Sequence, residues 1–321
     1  MNHRVVLTGG GTAGHVFPAL ALVPHLPDGC DVTWIGSVSG MERGIVKSAG
    51  IPYRGISTGK LRRYASWQNL VDVFRILAGY VQAILLLSRR RPSLVFSKGG
   101  FVSVPVVVAA ASLGIPVLSH ESDRSPGLAT RINARVSRRV LTAFVETAGL
   151  FPHGYAVGTP VRASIGEGCR DRGLARAGFA GARPVVTFLG GSSGALQINR
   201  LVAGLAPRLS RSLDIIHQTG PHEVPVEVEH GYFARRFFSD ELPDILAASD
   251  VIVSRAGATS LWEYSMLAKP VILVPLAHSG SRGDQVENAA YLENRGAAEV
   301  FLCSDDPVEE DSLALCRRIE E

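Results

Sequence analysis

The sequence predicts an α/β protein of two doubly wound, Rossmann-like domains that face each other across a cleft. Short apolar runs alternate with helical patterns up to about residue 155, which is the rhythm of βα units on a parallel sheet. The rhythm restarts at "PVVTFLGGSSGALQINRLV", residues 184–202, with a strand, a glycine-rich turn and an apolar helix. A chain of 321 residues also favours about two domains.

The strands of each half follow from their apolar runs. In the first half these runs are "VVLT", "VTWIG", "SLVFS", "PVLSH" and "RRVLTAF". In the second half they are "PVVTFL", "LDIIHQTG", "DVIVS" and "PVILVPL". The segment "VGTPVRASIGEGCRDRGLARAG" between the halves is polar and rich in glycine and arginine, so we predict domains at residues 1–157 and 158–321.

Composition restricts the class of protein. The four cysteines lie far apart with no C-x-x-C pair, which predicts reduced thiols and neither a zinc site nor a disulfide framework. The start of the chain lacks a signal-peptide pattern, and no stretch reaches about 18 uninterrupted apolar residues. We therefore expect a cytoplasmic protein that does not cross a bilayer.

Positive charge is concentrated in the first half, although the net charge is only +4. Seven basic residues lie between Lys60 and Arg91 against Asp72 alone, whereas the stretch from Asp305 is acidic. This asymmetry indicates an anionic partner, either phosphate groups, nucleic acid or an anionic membrane surface.

A long apolar stripe lies within the basic region. Its residues recur at helical spacing and are Trp67, Leu70, Val71, Phe74, Leu77, Val81, Ile84 and Leu85. We predict that the stripe packs on the sheet. The alternative is that its basic, aromatic flank, with Lys60, Arg62, Arg63 and Arg89 to Arg91, rests on an anionic bilayer.

The first glycine turn, "LTGGGTAGHVFP", satisfies the G-x-G-x-x-G spacing of a dinucleotide fingerprint. That interpretation needs a carboxylate at the end of the second strand, which instead ends in Gly36 and Ser37. His15 directly follows the turn, at the sheet edge where open α/β folds bind ligands. We favour a general base there over a histidine that only packs a helix start.

The second half offers groups suited to a nucleotide sugar. The turn "LGGSSGALQIN" presents N–H groups at a helix N-terminus, which suits a diphosphate, although its serines could equally be ordinary N-caps. Ser260 and Glu263 share one helical face, where the carboxylate could accept two vicinal hydroxyls or close a capping box. Gln285 and Asn288 carry amide groups of the kind that bind sugar hydroxyls.

A titratable cluster follows another strand of the first half, at "SHESDRSPG". His120, Glu121 and Asp123 lie together there. A metal site is the sharper interpretation and surface ion pairs the simpler one. We expect no metal, because no second cluster of ligands accompanies the first.

In order and over nearly the whole chain, these motifs resemble those of the MurG glycosyltransferases. The motifs are "GGGTAGHVFPALAL", "SKGGFVSVP", "SHESDRSPGLATR", "GTPVR", "LGGSSGALQIN", "HQTG", "SRAGATSLWE", "KPVILVPL" and "DQVENA". The resemblance implies the GT-B fold and transfer of N-acetylglucosamine from UDP-GlcNAc to lipid I, an undecaprenyl-diphosphate-linked muramoyl pentapeptide. It also implies an enzyme on the inner face of the bacterial plasma membrane, without a cofactor, catalytic metal or nucleic-acid partner.

The resemblance assigns donor-binding positions, which are Thr12, Arg162, Ser192, Phe238, Ser260, Glu263 and Gln285. Glu263 would bind the ribose hydroxyls and Phe238 would lie near uracil. Ser192 and Arg162 would lie near the diphosphate, and Gln285 would contact the sugar. The acceptor-binding positions are Gly11, Gly14 and Phe101, because the family's first glycine loop is thought to meet the lipid diphosphate.

The resemblance also implies an inverting mechanism. His15, helped by Glu121, would take the proton from the acceptor hydroxyl as UDP leaves, and Asp123 would face the sugar or the acceptor. Domain closure would exclude water. Three other kinds of protein stay open: a related GT-B transferase with another lipid or natural-product acceptor, a UDP-GlcNAc 2-epimerase, and a binding protein without catalysis.

The chain departs from the family pattern in four first-domain motifs, at Ala13, at Phe101, at Ser122 and Asp123, and at Thr130. The family usually has asparagine where this chain has Asp123. We expect Asp123 to pair with a cation, for which Arg124 and Arg162 are candidates, or to contact an acceptor group that donates a hydrogen bond. The stretch after residue 305 is also short for the C-terminal helix that crosses back to the first domain in such folds.

Overall fold

The structure, a computed structural model, describes residues 3–59, 67–191, 194–277, 283–304 and 306–321. The side chains of residues 67–69 lie outside that description. The chain divides into two compact units, Met1–Arg162 and Ala163–Glu321. Each unit is a parallel sheet with helices on both faces, as the alternating pattern predicts.

The first unit contains seven parallel strands in the order β3-β2-β1-β4-β5-β6-β7. The strands are β1 Arg4–Thr8, β2 Asp31–Ser37, β3 Tyr53–Ile56, β4 Leu94–Ser97, β5 Val117–Glu121, β6 Arg139–Thr142 and β7 Gly154–Ala156. The helices are α1 Phe17–Ala21, α2 Glu42–Ser48, α3 Trp67–Arg90, α4 Ser103–Ser112, α5 Leu128–Ala134 and α6 Val145–Ala148. Short 3-10 turns lie at Ala13–His15 and Val23–His25.

The second unit contains six parallel strands in the order β10-β9-β8-β11-β12-β13. The strands are β8 Val185–Leu189, β9 Asp214–Gln218, β10 Tyr232–Arg235, β11 Val251–Ser254, β12 Val271–Leu273 and β13 Glu299–Val300. The helices are α7 Arg170–Ala177, α8 Leu196–Leu209, α9 Leu242–Ala248, α10 Ala258–Met266, α11 Asp284–Glu293 and α12 Glu309–Glu320, and a 3-10 turn lies at Ala163–Glu167.

Burial on both faces explains why the central strands are continuous apolar runs. In β1, Val6 points to a core shared with α3 and α4, whereas Val5 and Leu7 point to a second core on the other face. In the second unit, α12 buries Leu315 and Ile319 against the same core as α8.

Each sheet reverses its strand order at one place, between β1 and β4 in the first unit and between β8 and β11 in the second. The loops that leave neighbouring strands at such a switch point diverge, and the crevice outside the carboxyl ends of the strands is where open α/β sheets bind ligands. The "GGGTAGH" loop follows β1, and "GGSSGA" follows β8. The fold therefore places both glycine turns at a ligand-binding edge.

The prediction that the apolar stripe of α3 packs on the sheet is wrong. The buried side of α3 carries Asp72, Gly79, Ala83 and Leu87, and a β-carbon at Gly79 would lie 2.0 Å from the carbonyl oxygen of Ser57. Gly79 faces inward because the helix lies close against the chain beneath it at this position. The large apolar side chains of the stripe that the structure describes consequently point outward, apart from the half-buried Ile84.

Helix α3 bears on the expectation that the chain does not cross a bilayer, without contradicting it. Residues Leu70–Arg90 are long and apolar enough to do so by length and composition, with a mean hydropathy of 1.9. The expectation counted uninterrupted apolar residues and so missed a helix in which a few polar residues are spaced out. In the folded chain, Ala83 and Leu87 of α3 are fully buried in the core of the first unit.

Candidate active site

His15 lies at the switch point of the first sheet, where the sequence predicts it. It ends the 3-10 turn after β1, and its Nδ1 is 2.9 Å from the Thr12 hydroxyl. Its ring lies against the loop that follows β4, since a β-carbon at Gly100 would approach His15 Nδ1 to 3.2 Å. The loops after β1 and β4 thus fix one imidazole between them.

Glycine is required where these two loops meet. Gly100 has φ +76°, and a β-carbon there would lie 2.3 Å from the Gly10 carbonyl oxygen. Gly11 has φ +87°, and a β-carbon there would lie 2.8 Å from the Phe101 ring. The structure therefore brings Gly11, Phe101 and the Thr12–His15 turn, which includes Gly14, into one place.

Sequence reasoning missed Glu42, which is fully buried behind the first glycine turn. Its carboxylate accepts the N–H of Ser37 at 2.9 Å and the N–H of Gly11 at 3.3 Å. Burial, reinforced by the Glu42 charge, raises the pKa of Tyr53. Because the Gly11 N–H donates to Glu42, this carboxylate sets the orientation of the turn. The sequence feature that could have identified this residue is a glutamate at the start of the helix that follows the second strand.

Glu121 lies at the end of β5 and holds the loop that follows. Its carboxylate accepts the N–H groups of Asp123 and Gly127, both at 3.1 Å, and the Thr130 hydroxyl at 2.6 Å. Three such bonds stabilise a carboxylate and fix its position. The Glu121 carboxylate therefore stabilises the conformation of this loop.

Lys98 was also missed, although it directly follows β4. Its side chain is 1% exposed, and Nζ donates to the Ser122 hydroxyl at 2.7 Å. Burial lowers the pKa of Lys98 to about 8, while the charges of Glu121 and Asp123 act in the opposite direction. A buried cation thus lies beneath the turn that carries Asp123.

His120 is buried in the same region and is neutral. Its Nε2 is 2.8 Å from the Gly158 carbonyl oxygen, so the ring donates from Nε2. Burial, together with the Lys98 charge, lowers the pKa of His120 to about 3. Within the residues that the structure describes, no three His, Cys, Asp or Glu side chains are grouped to hold a metal ion.

Arg162 is the last residue of the first unit. Its guanidinium carbon lies 4.2 Å from the centre of the Phe17 ring, in the distance range of a cation–π contact. Phe17 begins α1, two residues after His15. The structure therefore places this arginine, predicted to lie near the donor diphosphate, close to the His15 turn of its own unit.

The glycine turn after β8 is connected to the segment that carries Phe238. Gln218 donates from Nε2 to the Gly191 carbonyl at 2.9 Å, and its Oε1 accepts the Phe238 N–H at 2.9 Å. The Phe238 side chain is buried and stacks on Phe233 at 6.3 Å. The prediction for Ser192 lies outside the described residues.

Glu263 lies on α10, the helix after β11, and is buried. The helix is N-capped by Gly257, so the capping box in which Glu263 would close on Ser260 is wrong. Tyr264 on the same helix is 2.9 Å from the Ser254 hydroxyl and also hydrogen-bonds Ser260. Ser260 and Glu263 therefore lie on the helix at the switch-point edge of the second sheet.

The amides of α11 stabilise loops. Gln285 accepts the Leu276 N–H at 3.0 Å, which fixes the loop after β12. Asn288 is fully buried and donates to the Ala256 carbonyl at 3.3 Å. Asn288 therefore ties α11 to the loop after β11, a structural role that the sequence alone did not distinguish from sugar binding.

Comparison with known proteins agrees with the fold. Residues 5–142 match the glycosyltransferase family 28 N-terminal domain, and residues 185–313 match the glycosyltransferase family 28 C-terminal domain. A solved structure of Acinetobacter baumannii MurG superposes with a TM-score of 0.72 at 26% identity, covering 100% of this chain and 91% of that one.

Two curated relatives are more similar in sequence. A Treponema pallidum protein is 44% identical over 94% of this chain and 83% of its own length. A Bacillus cereus protein is 42% identical over 94% of this chain and 87% of its own length. Both are named UDP-N-acetylglucosamine–N-acetylmuramyl-(pentapeptide) pyrophosphoryl-undecaprenol N-acetylglucosamine transferase, the second with the suffix 2. The chain therefore belongs to the MurG family of glycosyltransferases.

Proposed function

We propose that this protein transfers N-acetylglucosamine from UDP-GlcNAc to lipid I, with inversion at the anomeric carbon, and so makes lipid II for peptidoglycan. The observation that carries the proposal is the identity of 41–44% that curated transferases of this name share with 94–99% of the chain. The order of the sequence motifs predicts the same activity.

The acceptor side of the reaction rests on His15. In the neutral tautomer that carries its proton on Nδ1, the ring would donate to the Thr12 hydroxyl, 2.9 Å away, and keep a basic lone pair on Nε2, which suits a general base. His15 would take the proton of the acceptor hydroxyl as that oxygen attacks the anomeric carbon. Glu121, with three hydrogen bonds from its own loop, would position that loop instead of acting as a second base.

The donor side rests on the positions that the family resemblance assigns to UDP-GlcNAc. Glu263 would accept the ribose hydroxyls, the segment of Phe238 would meet uracil, and Gln285 would contact the sugar. The burial of Glu263 supports this assignment, because a carboxylate excluded from water discriminates strongly for hydroxyl donors. Arg162 would stabilise the negative charge that develops on UDP.

Contact with an anionic membrane would follow from the apolar face of α3, defined as Leu70, Phe74, Leu77, Val81 and Leu85. These side chains are 50–65% exposed and recur every three or four residues along the helix. Soluble proteins rarely expose such a continuous apolar surface without a partner.

The positive charges at the end of α3 support the same contact. Arg89 and Arg91 are exposed at the C-terminal end of this apolar face, whereas Arg90 is paired with Asp31. An apolar face with cations at its end fits peripheral binding to anionic lipid, where the lipid-linked acceptor resides.

The decisive assay is transfer of radiolabelled N-acetylglucosamine from UDP-GlcNAc to lipid I. Replacing a general base lowers kcat by about 10²–10⁴-fold, so His15→Gln should fall in that range while keeping its affinity for UDP. His25→Gln is the matched control, since His25 is an exposed histidine at the end of another 3-10 turn. It should transfer at the wild-type rate.

Other outcomes would replace the proposal. Conversion of UDP-GlcNAc alone into its 2-epimer would identify an epimerase. Tight UDP-GlcNAc binding with no product from lipid I or from other lipid-linked and natural-product acceptors would identify a binding protein. Transfer to another acceptor but not to lipid I would retain the glycosyltransferase and change its substrate.

A further inference from the structure

A buried glutamine at the carboxyl end of β9 joins two loops of the second unit. Because β9 lies between β8 and β10 in the sheet, its last residue, Gln218, lies between the loops that follow those strands. Nε2 of Gln218 donates to the Gly191 carbonyl at 2.9 Å, and Oε1 accepts the Phe238 N–H at 2.9 Å. The amide group is planar and carries its donor and its acceptor at a fixed separation, so it holds both loops at once.

The glycine turn after β8 is attached to the end of β9 at two places. The Gly191 carbonyl accepts Gln218 Nε2 and also the Gly194 N–H, the latter at 3.2 Å. Gly194 packs on the residue that follows Gln218, since a β-carbon at Gly194 would lie 3.0 Å from the Thr219 carbonyl oxygen. The Gln218 side chain therefore fixes the first half of this turn, and main-chain packing fixes its end.

The segment after β10 is held by the same side chain. Main-chain pairing continues past β9 to Gly220, whose N–H donates to the Arg236 carbonyl at 3.0 Å. Two residues beyond Arg236, the Phe238 N–H donates to Gln218 Oε1 instead. The Phe238 ring is buried, so a nucleotide base at this segment would meet the main chain and not the face of the ring. The position of that main chain depends on Gln218.

We infer that Gln218 is a positioning residue for the donor nucleotide, because one amide sets the separation between the turn proposed for the diphosphate and the segment proposed for uracil. With both loops already fixed, UDP does not have to order them when it binds, and the ordering of loops is a cost that weakens binding. Gln218 need not touch the nucleotide, because the two loops carry its effect. The inference rests on the proposed function, which assigns these loops to UDP-GlcNAc.

Replacing Gln218 by Glu breaks one half of this link and keeps the other. A carboxylate accepts the Phe238 N–H but has no hydrogen to donate to the Gly191 carbonyl, whose oxygen it would repel. Above the pKa of the new carboxyl group, Gln218→Glu should therefore weaken UDP binding at least about 10-fold, whereas uridine, which lacks the diphosphate, should bind within about twofold of the wild type. Isothermal titration calorimetry gives both affinities.

The pH dependence of the same variant separates loss of this hydrogen bond from general damage. Once the new carboxyl group is protonated, its O–H can donate to the Gly191 carbonyl while its C=O still accepts the Phe238 N–H, so the neutral acid replaces the amide. As pH falls from about 9 to about 5.5, a buried carboxyl group takes up its proton, and the UDP affinity of Gln218→Glu should recover relative to the wild type. Measuring the wild type at each pH removes the effect of the ionisation of UDP itself.

Gln218→Met removes both halves of the link and should weaken UDP and uridine at every pH. Gln82→Met is the matched control, because the exposed Gln82 also accepts a main-chain N–H, that of Ser57 at 2.7 Å, but lies in the first unit. It should bind UDP as the wild type does. If Gln218→Met does not fold, Gln218→Glu decides, because its neutral form keeps the shape and the hydrogen bonds of the glutamine.

The inference is overturned if Gln218→Glu binds UDP as the wild type does at high pH, if it weakens UDP and uridine equally, or if low pH does not restore its UDP affinity. A folded Gln218→Met that binds both ligands as the wild type does overturns it as well. If the UDP affinities behave as expected but lipid I is not an acceptor, the proposed function fails and the role of Gln218 stands. A wild type that does not bind UDP overturns both.

Discussion

Phe74 provides a direct test of the apolar face of α3. Its side chain is 65% exposed, the largest fraction on that face. An aromatic side chain presents about 150–250 Å² in all, so roughly 130 Å² of Phe74 faces solvent. At about 25 cal/mol per Å², full insertion into an apolar medium would stabilise the membrane-bound protein by about 3 kcal/mol, and half-depth insertion by about 1.5 kcal/mol. Phe74→Ser should therefore weaken membrane partitioning about tenfold or more.

The assay is co-sedimentation with vesicles of phosphatidylglycerol and phosphatidylcholine. Leu150→Ser is the matched control, because Leu150 is 61% exposed in the same unit but lies outside α3. The control should bind as the wild type does. If Phe74→Ser and Leu150→Ser partition equally, the exposed face of α3 does not meet lipid and requires another partner.

Three further predictions follow from the same structure. Replacing Arg89 and Arg91 by Gln should weaken binding to anionic vesicles by at most about 1 kcal/mol per charge, and high salt should mimic the loss; equal binding of both forms would refute it. Glu263→Ala should weaken UDP binding by about 1.5–3 kcal/mol in calorimetry, and unchanged affinity would remove Glu263 from the site. The third concerns His217, which hydrogen-bonds Asn199 and Tyr232. Burial lowers the pKa of His217 to about 4. The unfolded chain therefore takes up this proton first as pH falls below about 6.5, and the folded state should lose about 2.5 kcal/mol by pH 4.5. Urea unfolding of His217→Gln should show a shallower pH dependence than the wild type, and identical slopes would contradict this.

The fold was predictable because its signal is local and repeated. Each central strand is buried on both faces and so reads as a short apolar run, and each crossover helix follows within one βα unit. The register and strand order then place the loops after β1 and β8 at the switch points of their sheets. His15 was identifiable for the same reason, since its distance from the glycine turn along the chain fixes its place at the sheet edge.

Helix α3 shows where local pattern fails. The periodicity of apolar residues identifies two different sides of a helix but does not determine which side faces the sheet. In α3 the described large apolar side chains of the predicted stripe lie outside, apart from the half-buried Ile84, whereas Gly79 lies inside, because a β-carbon there would lie 2.0 Å from the carbonyl oxygen of Ser57. Which side faces inward depends on the space beneath the helix, and a local stretch of sequence does not specify that space.

By itself, the sequence determined the two α/β domains, their glycine turns, the histidine after the first turn and the family, all of which are carried by residues close together in the chain. Only the tertiary structure decided which groups the buried charged side chains contact. Glu42 reaches Gly11 across 31 positions, and Lys98 reaches Ser122 across 24. Such pairs form because parallel strands bring their carboxyl ends to one edge, where a buried charge is stable only beside its partner.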